Sequence, residues 1–121
     1  MSLAKKLAFE VYNDYTSKHI FDIYEDENTK EFSVRIIEKT GLPTLLCIID
    51  WENAKVIQAA RPNPDSECIL AWLQDRVIPE NRDYLKEILL ANGLTEYNWR
   101  ELIKLNHGRT TDDTFRVETV T

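Results

Sequence analysis

An N-terminal antiparallel sheet followed by about three short helices and a final strand, an α+β fold, is what this sequence predicts, and three observations carry it. Apolar and polar residues alternate through most of the first sixty positions, the apolar period lengthens to about 3.6 after Arg61, and alternation returns at Phe115, Val117 and Thr119. A length of 121 residues suits a single domain over residues 1–121, able to bury one core without metal or disulfide staples.

Leu7, Phe9 and Val11 mark the first strand, His19–Tyr24 a second, and Phe32, Val34 and Ile36 a third. Between the second and third, Glu25-Asp26-Glu27-Asn28 reads as a solvated hairpin tip. Gly41-Leu42-Pro43 breaks the pattern before the continuous apolar run Thr44–Ile49, and such a run predicts a strand buried on both faces, with Leu45–Ile49 central in the sheet. Asp50, Glu52 and Asn53 make a polar turn, after which Lys55–Ala59 returns antiparallel.

Asn63-Pro64-Asp65 supplies a cap, a first-turn proline and an early acid, so a helix is expected from there, with Ile69, Trp72 and Leu73 on its buried face and Arg76 at the edge of that face. Pro79 is expected to end that helix and open the next. Tyr84, Leu85, Ile88 and Leu89 form the second helix's apolar stripe, and Gly93 its C-terminal stop. Asn98 and Glu101 have capping-box spacing ahead of Trp99, Leu102 and Ile103, and Gly108 is placed to close this third helix. Trp72, Leu85, Ile88, Leu102 and Ile103 are expected in one core.

The chain is 43% hydrophobic and carries a formal charge of −6, which fits a globular domain and disfavours a nucleic-acid-coating role, since phosphate neutralisation needs clustered Lys and Arg. Cys47 and Cys68 both read as small core residues in a reducing compartment. No apolar stretch approaches the ~20 residues of a membrane span and no leader pattern follows Lys5-Lys6, so the expectation is a cytoplasmic protein that does not enter a membrane.

Two polar constellations stand out. Arg76, Glu80 and Arg82 surround Ile78-Pro79 and offer forked guanidinium donors to a partner carboxylate, against the plainer reading that Arg76 caps carbonyls or pairs with a neighbouring acid. His107, Arg109, Asp112 and Asp113 form the densest polar run, and are the residues an enzyme or ligand-binding protein would use; the plainer reading is a helix cap followed by a turn. The spacing of these residues and the distant His19 is not diagnostic of metal ligation, so no metal and no cofactor is expected. Nor is there a nucleophile elbow or a glycine-rich phosphate loop, because the three glycines, Gly41, Gly93 and Gly108, stand far apart. Trp51 is the tryptophan expected on the surface.

Taken together, Trp72-Leu73, Val77-Ile78-Pro79-Glu80, Arg82, Leu85, Leu89, Gly93-Leu94, Leu102-Ile103 and Gly108-Arg109 resemble the N-terminal region of HipA-type toxin kinases over about Trp72–Val117. There, an aromatic pair leads into an "LLP-acid" turn, an Arg–Leu helix, a "GL" helix end and an "LL…G" helix before a closing strand. The family's small residues after that last glycine are replaced here by Arg109-Thr110-Thr111-Asp112-Asp113. The resemblance implies a bacterial or phage-type accessory domain that contacts a protein, with a separately encoded kinase-like toxin as partner, and it carries over no catalytic residue. The expectation is therefore a non-catalytic protein-interaction domain of the toxin–antitoxin type. Its alternatives are a small enzyme built on the His107–Asp113 run and a structural, homo-oligomerising protein.

Overall fold

The computed structural model describes residues 5–38, 42–46, 48–50, 52, 55–58, 64–111 and 113–120. The first strand, β1 (Lys5–Asn13), turns Phe9 and Val11 to one face, where both are buried. Asn13 closes the turn that follows, its side-chain oxygen accepting from the N–H groups of Tyr15 and Thr16. The chain returns as β2 (Lys18–Asp26), turns again where Asp26 accepts from Asn28 and Thr29 N–H, and returns as β3 (Phe32–Ile36). The acidic tip read from the sequence is thus a side-chain-stabilised hairpin turn.

The apolar run before Asp50 behaves differently from the sequence expectation. Thr44–Leu46 is a single 3-10 turn, and only Ile48–Asp50 is a strand (β4), paired antiparallel with β5 (Lys55–Gln58) in a separate two-stranded sheet. Leu45–Ile49 is therefore not the central strand. Leu46, fully buried, contributes to the core from the 3-10 turn, so the run's hydrophobicity reports burial and not membership of the main sheet. The expectations at Gly41, Cys47, Trp51, Asn53, Ala59, Asn63 and Asp112 lie outside the described residues.

Helix α1 (Ser66–Gln74) starts later than expected, with Asp65 as its N-cap accepting from Cys68 N–H at 2.8 Å. Ile69 and Leu73 are buried, while Cys68, one step off that face, is exposed and not a core residue. The helix ends at Gln74, five residues before Pro79, and the intervening segment is held by Tyr97, whose hydroxyl donates to Ile78 O at 2.8 Å. Helix α2 (Leu85–Ala91) accordingly does not open at Pro79. Tyr84 is its N-cap, at φ 61 and 78% exposed, and so drops out of the expected apolar stripe. Gly93 does stop α2: its N–H bonds Leu90 O, and Leu94 N–H bonds Leu89 O.

Asn98 caps α3 (Trp99–Asn106), accepting from Arg100 and Glu101 N–H. The left-handed residue that ends α3 is His107, at φ 56, with Gly108 following at φ 61. β6 (Phe115–Thr119) then pairs antiparallel with β1, giving the main sheet the order β3-β2-β1-β6.

One face of this sheet meets α1 and α3. Phe21 lies 5.7 Å from the Trp72 ring and Phe9 lies 6.1 Å from the Trp99 ring. Ile69, Leu73 and Ile103 close the core over Val11, Ile23 and Val117. Leu102 is buried beside this cluster, but Leu85 and Ile88 are only half-buried and lie apart from it, so α2 is a satellite and not part of one shared core.

Gly108 is demanded twice over, by its positive φ and by space, since a Cβ there would stand 2.6 Å from Val117 Cβ. Gly93 has a similar φ of 78 with nothing within 4 Å. Gly108→Ala should therefore cost about 2–4 kcal/mol from strain plus overpacking, and Gly93→Ala about 1 kcal/mol from strain alone. Urea denaturation of the two variants checks this; equal losses would show that the Val117 contact is not what requires a glycine.

Candidate functional site

The Arg76, Glu80 and Arg82 trio is split by the fold. Arg76 is buried, 4% exposed, just past the C-terminal end of α1. Its Nη1 and Nη2 donate to the two Asp113 carboxylate oxygens at 2.9 and 2.6 Å, Nε donates to Gly108 O, and Nη2 also donates to Phe115 O at 3.0 Å. The guanidinium lies 4.4 Å from the Trp72 ring centroid. Asp113 accepts in turn from Phe115 N–H at 3.0 Å, and Val117 N–H donates to His107 O at 2.7 Å. The outer edge of β6 is thus closed from Phe115 to Val117, which removes both this edge and Arg76 from the surface. Glu80 and Arg82 remain exposed in the turn before α2. Glu80 lies close enough to Tyr97 that its charge adds to the effect of burial in raising the phenol's pKa.

Of the polar run, the described residues His107, Arg109 and Asp113 do not converge either. Asp113 serves Arg76. His107 Nδ1 is 3.1 Å from Glu118 Oε1, and Arg109 Nε donates to Asp14 Oδ2 at 2.8 Å. Arg116 links these two pairs, reaching Asp14 at 3.0 Å and Glu118 at 3.4 Å. The contacts then run onward across the sheet face that points away from α1 and α3. Arg116 lies 4.5 Å from the Tyr12 ring, Tyr12 stacks on His19 with centroids 4.8 Å apart, and His19 Nε2 is 2.5 Å from Asp22 Oδ1 and 3.9 Å from Glu10 Oε2.

Glu10, Tyr12, Asp22 and Arg116 were not singled out by the sequence, and His19 only as a distant histidine. Glu10 and Asp22 are register partners, which strand alternation can suggest once the pairing is known. His19 and Asp22 are three apart, a spacing that places residues on opposite faces of a regular strand. The register of β1 and β2 shifts between Val11 and Tyr12, so Ile20 and Phe21 both point into the core and His19 rejoins Asp22 on the outer face. No local residue pattern announces that bulge.

An apolar surface completes the inventory. Val77, Ile78, Ile88, Leu102 and Leu105 line a depression of about 150 Å³ between the segment after α1 and the helices α2 and α3. Leu90 and Leu105 are 57% and 50% exposed on those two helices. The Glu80–Arg82 turn follows directly on Val77-Ile78. No protein-family model, no curated protein and no solved structure matches the chain.

Burial pushes the Asp113 carboxyl up, but hydrogen bonds from Arg76 and Phe115 N–H together with the Arg76 charge outweigh it and hold the pKa below the ordinary carboxylate value. A depressed carboxylate contributes stability that is present above its unfolded pKa, about 3.9, and is lost as pH falls through the folded value. Arg76→Met leaves Asp113 without its cation and Asp113→Asn leaves a nearly buried guanidinium without its anion, so each should cost about 3–5 kcal/mol at neutral pH. The gap between wild type and Asp113→Asn should narrow as pH is lowered from 5 to 3 in thermal melts. A gap that is constant with pH would show that Asp113 does not act through its charge.

Proposed function

We propose that this domain is a non-catalytic protein-interaction module, an accessory or regulatory partner of a HipA-type kinase toxin, and that it docks its partner on the α2–α3 face. The observation that carries the reading is the apolar depression at Val77, Ile78, Ile88, Leu102 and Leu105, edged by Asn92 and Asn106 and followed by the exposed Glu80–Arg82 turn. Exposed apolar clusters with a polar rim suit protein contacts, and an exposed arginine beside one suits a partner that presents an apolar anchor next to a carboxylate. The resemblance of Trp72–Val117 to the front of HipA-type kinases supports a kinase as that partner. The dispersal of His107, Arg109 and Asp113 into internal ion pairs weighs against the small-enzyme alternative.

Affinity capture from the source cell with wild type, Arg82→Glu and Leu105→Asp tests the proposal. Wild type should recover a kinase-like protein, and both variants should recover at least tenfold less while melting within a few degrees of wild type, because exposed positions contribute little to stability. Recovery of no kinase, or undiminished recovery with both variants, would overturn it. So would wild-type self-association in sedimentation that Leu105→Asp abolishes, since a second copy would then be the occupant of this face.

A further inference from the structure

The sheet face opposite the helices carries a cluster of side chains separate from the α2–α3 depression. Glu10 on β1 and His19 and Asp22 on β2 bring one imidazole nitrogen and two carboxylate oxygens within 4.8 Å of one another. We propose that these three residues bind a divalent first-row transition ion. Ligands about 2.1 Å from a shared ion stand roughly 3–3.5 Å apart. The His19–Asp22 distance of 2.5 Å and the His19–Glu10 distance of 3.9 Å bracket that value, and with all three atoms within 4.8 Å of one another the shell closes by side-chain rotation that brings the two carboxylates together. One imidazole with two carboxylates and no thiolate selects ions of the Mn²⁺, Fe²⁺ and Zn²⁺ kind over soft cuprous ion.

Four features besides proximity favour a bound cation. Asp22 is only 6% exposed on a face that otherwise meets solvent, and a buried carboxylate is costly unless a cation accompanies it. His19 supplies at most one positive charge for two carboxylates. The imidazole is also held in orientation by stacking on Tyr12, which Arg116 covers in turn. Finally, the Ile20 bulge is what presents His19 on this face, and bulges re-aim side chains at sites.

Charges nearby do not oppose the ion. Arg116 is neutralised by Asp14 and Glu118, and Arg35, in register with Asp22 on β3, is exposed, so its long stem keeps its charge in water. Glu10 and His19 side chains are 31% and 29% exposed, which gives the ion a path in and leaves coordination positions open toward solvent. Binding displaces the hydrogen bond between His19 Nε2 and Asp22 and releases any proton that nitrogen carries.

The test is calorimetric titration of Zn²⁺ and of Mn²⁺ into the full chain, freed of any affinity tag and stripped with chelator, with Co²⁺ absorption as a spectroscopic readout. At least one ion should bind with one-to-one stoichiometry, and Glu10→Gln and His19→Ala should each weaken it at least tenfold. Glu10→Gln is conservative and part-exposed, so it folds even where Asp22→Asn does not. His107→Ala should leave the affinity unchanged, since the His107–Glu118 pair offers only two donors. No saturable binding, binding that survives Glu10→Gln and His19→Ala, or binding lost in His107→Ala would each overturn the assignment.

Discussion

Arg76 is the residue on which closure of this domain depends. Its guanidinium is almost wholly removed from water, a position that costs several kcal/mol unless paired, and it makes four hydrogen bonds, two of them to the Asp113 carboxylate. These hydrogen-bond partners run from Gly108, just past α3, to Phe115, the first residue of β6, so one side chain just past α1 sets where the last strand begins. β6 in turn is an edge strand whose backbone groups would otherwise be open. Phe115 N–H goes to Asp113, Phe115 O to Arg76 and Val117 N–H to His107 O, which leaves that stretch unable to template pairing with another chain. Gly108 is part of the same joint, because its carbonyl accepts from Arg76 and its missing side chain lets Val117 pack against it.

The same closure separates the two faces of the sheet. On the inner face, tilted aromatic pairs join α1 to Phe21 and α3 to Phe9, and Arg100 pins α3 to β2 through Glu25 while covering the Trp99 ring at 4.8 Å. On the outer face, ion pairs and stacked rings run from Arg109 and His107 through Arg116 and Tyr12 to His19, Asp22 and Glu10. The exposed ion pairs in that chain contribute little stability singly. The positional effect belongs to Arg116, which covers Tyr12 and through it holds His19 in one orientation; His107 and Arg109 touch neither ring.

Much of the fold was legible because local signals and tertiary packing agree there. Phe9 with Val11, Phe32 with Val34, and Phe115 with Val117 alternate because one face is buried, and Asn98 and Gly93 sit where caps and stops are needed. Local signals failed where packing overrode them. Leu45 and Leu46 are apolar because a 3-10 turn drops into the core, and a short apolar run does not distinguish that from a strand. Pro79 does not start a helix, since the chain runs irregularly from Gln74 to Leu85 under the hold of Tyr97. For the polar residues, Arg76 was legible as a carbonyl-capping arginine but not as the partner of Asp113, 37 residues away. His19 with Asp22 was hidden by a bulge, which changes facing without changing composition.

Helix α2 links this architecture to the docking proposal. It has seven residues, of which Leu89 alone is buried, and it lies outside the main apolar cluster. A helix that short is far from stable by its own hydrogen bonds, so its order rests on contacts at Ile88 and Leu89 and on the Gly93 stop. Regions with few buried apolar contacts occupy the low end of a protein's local stability, where binding elements are found. A partner that covers Ile88 and Leu105 would add burial worth roughly 25 cal/mol per Å² to the element that has least of it. Binding there stabilises α2 itself, whereas the Arg76 joint and the aromatic core beneath are already complete without a partner.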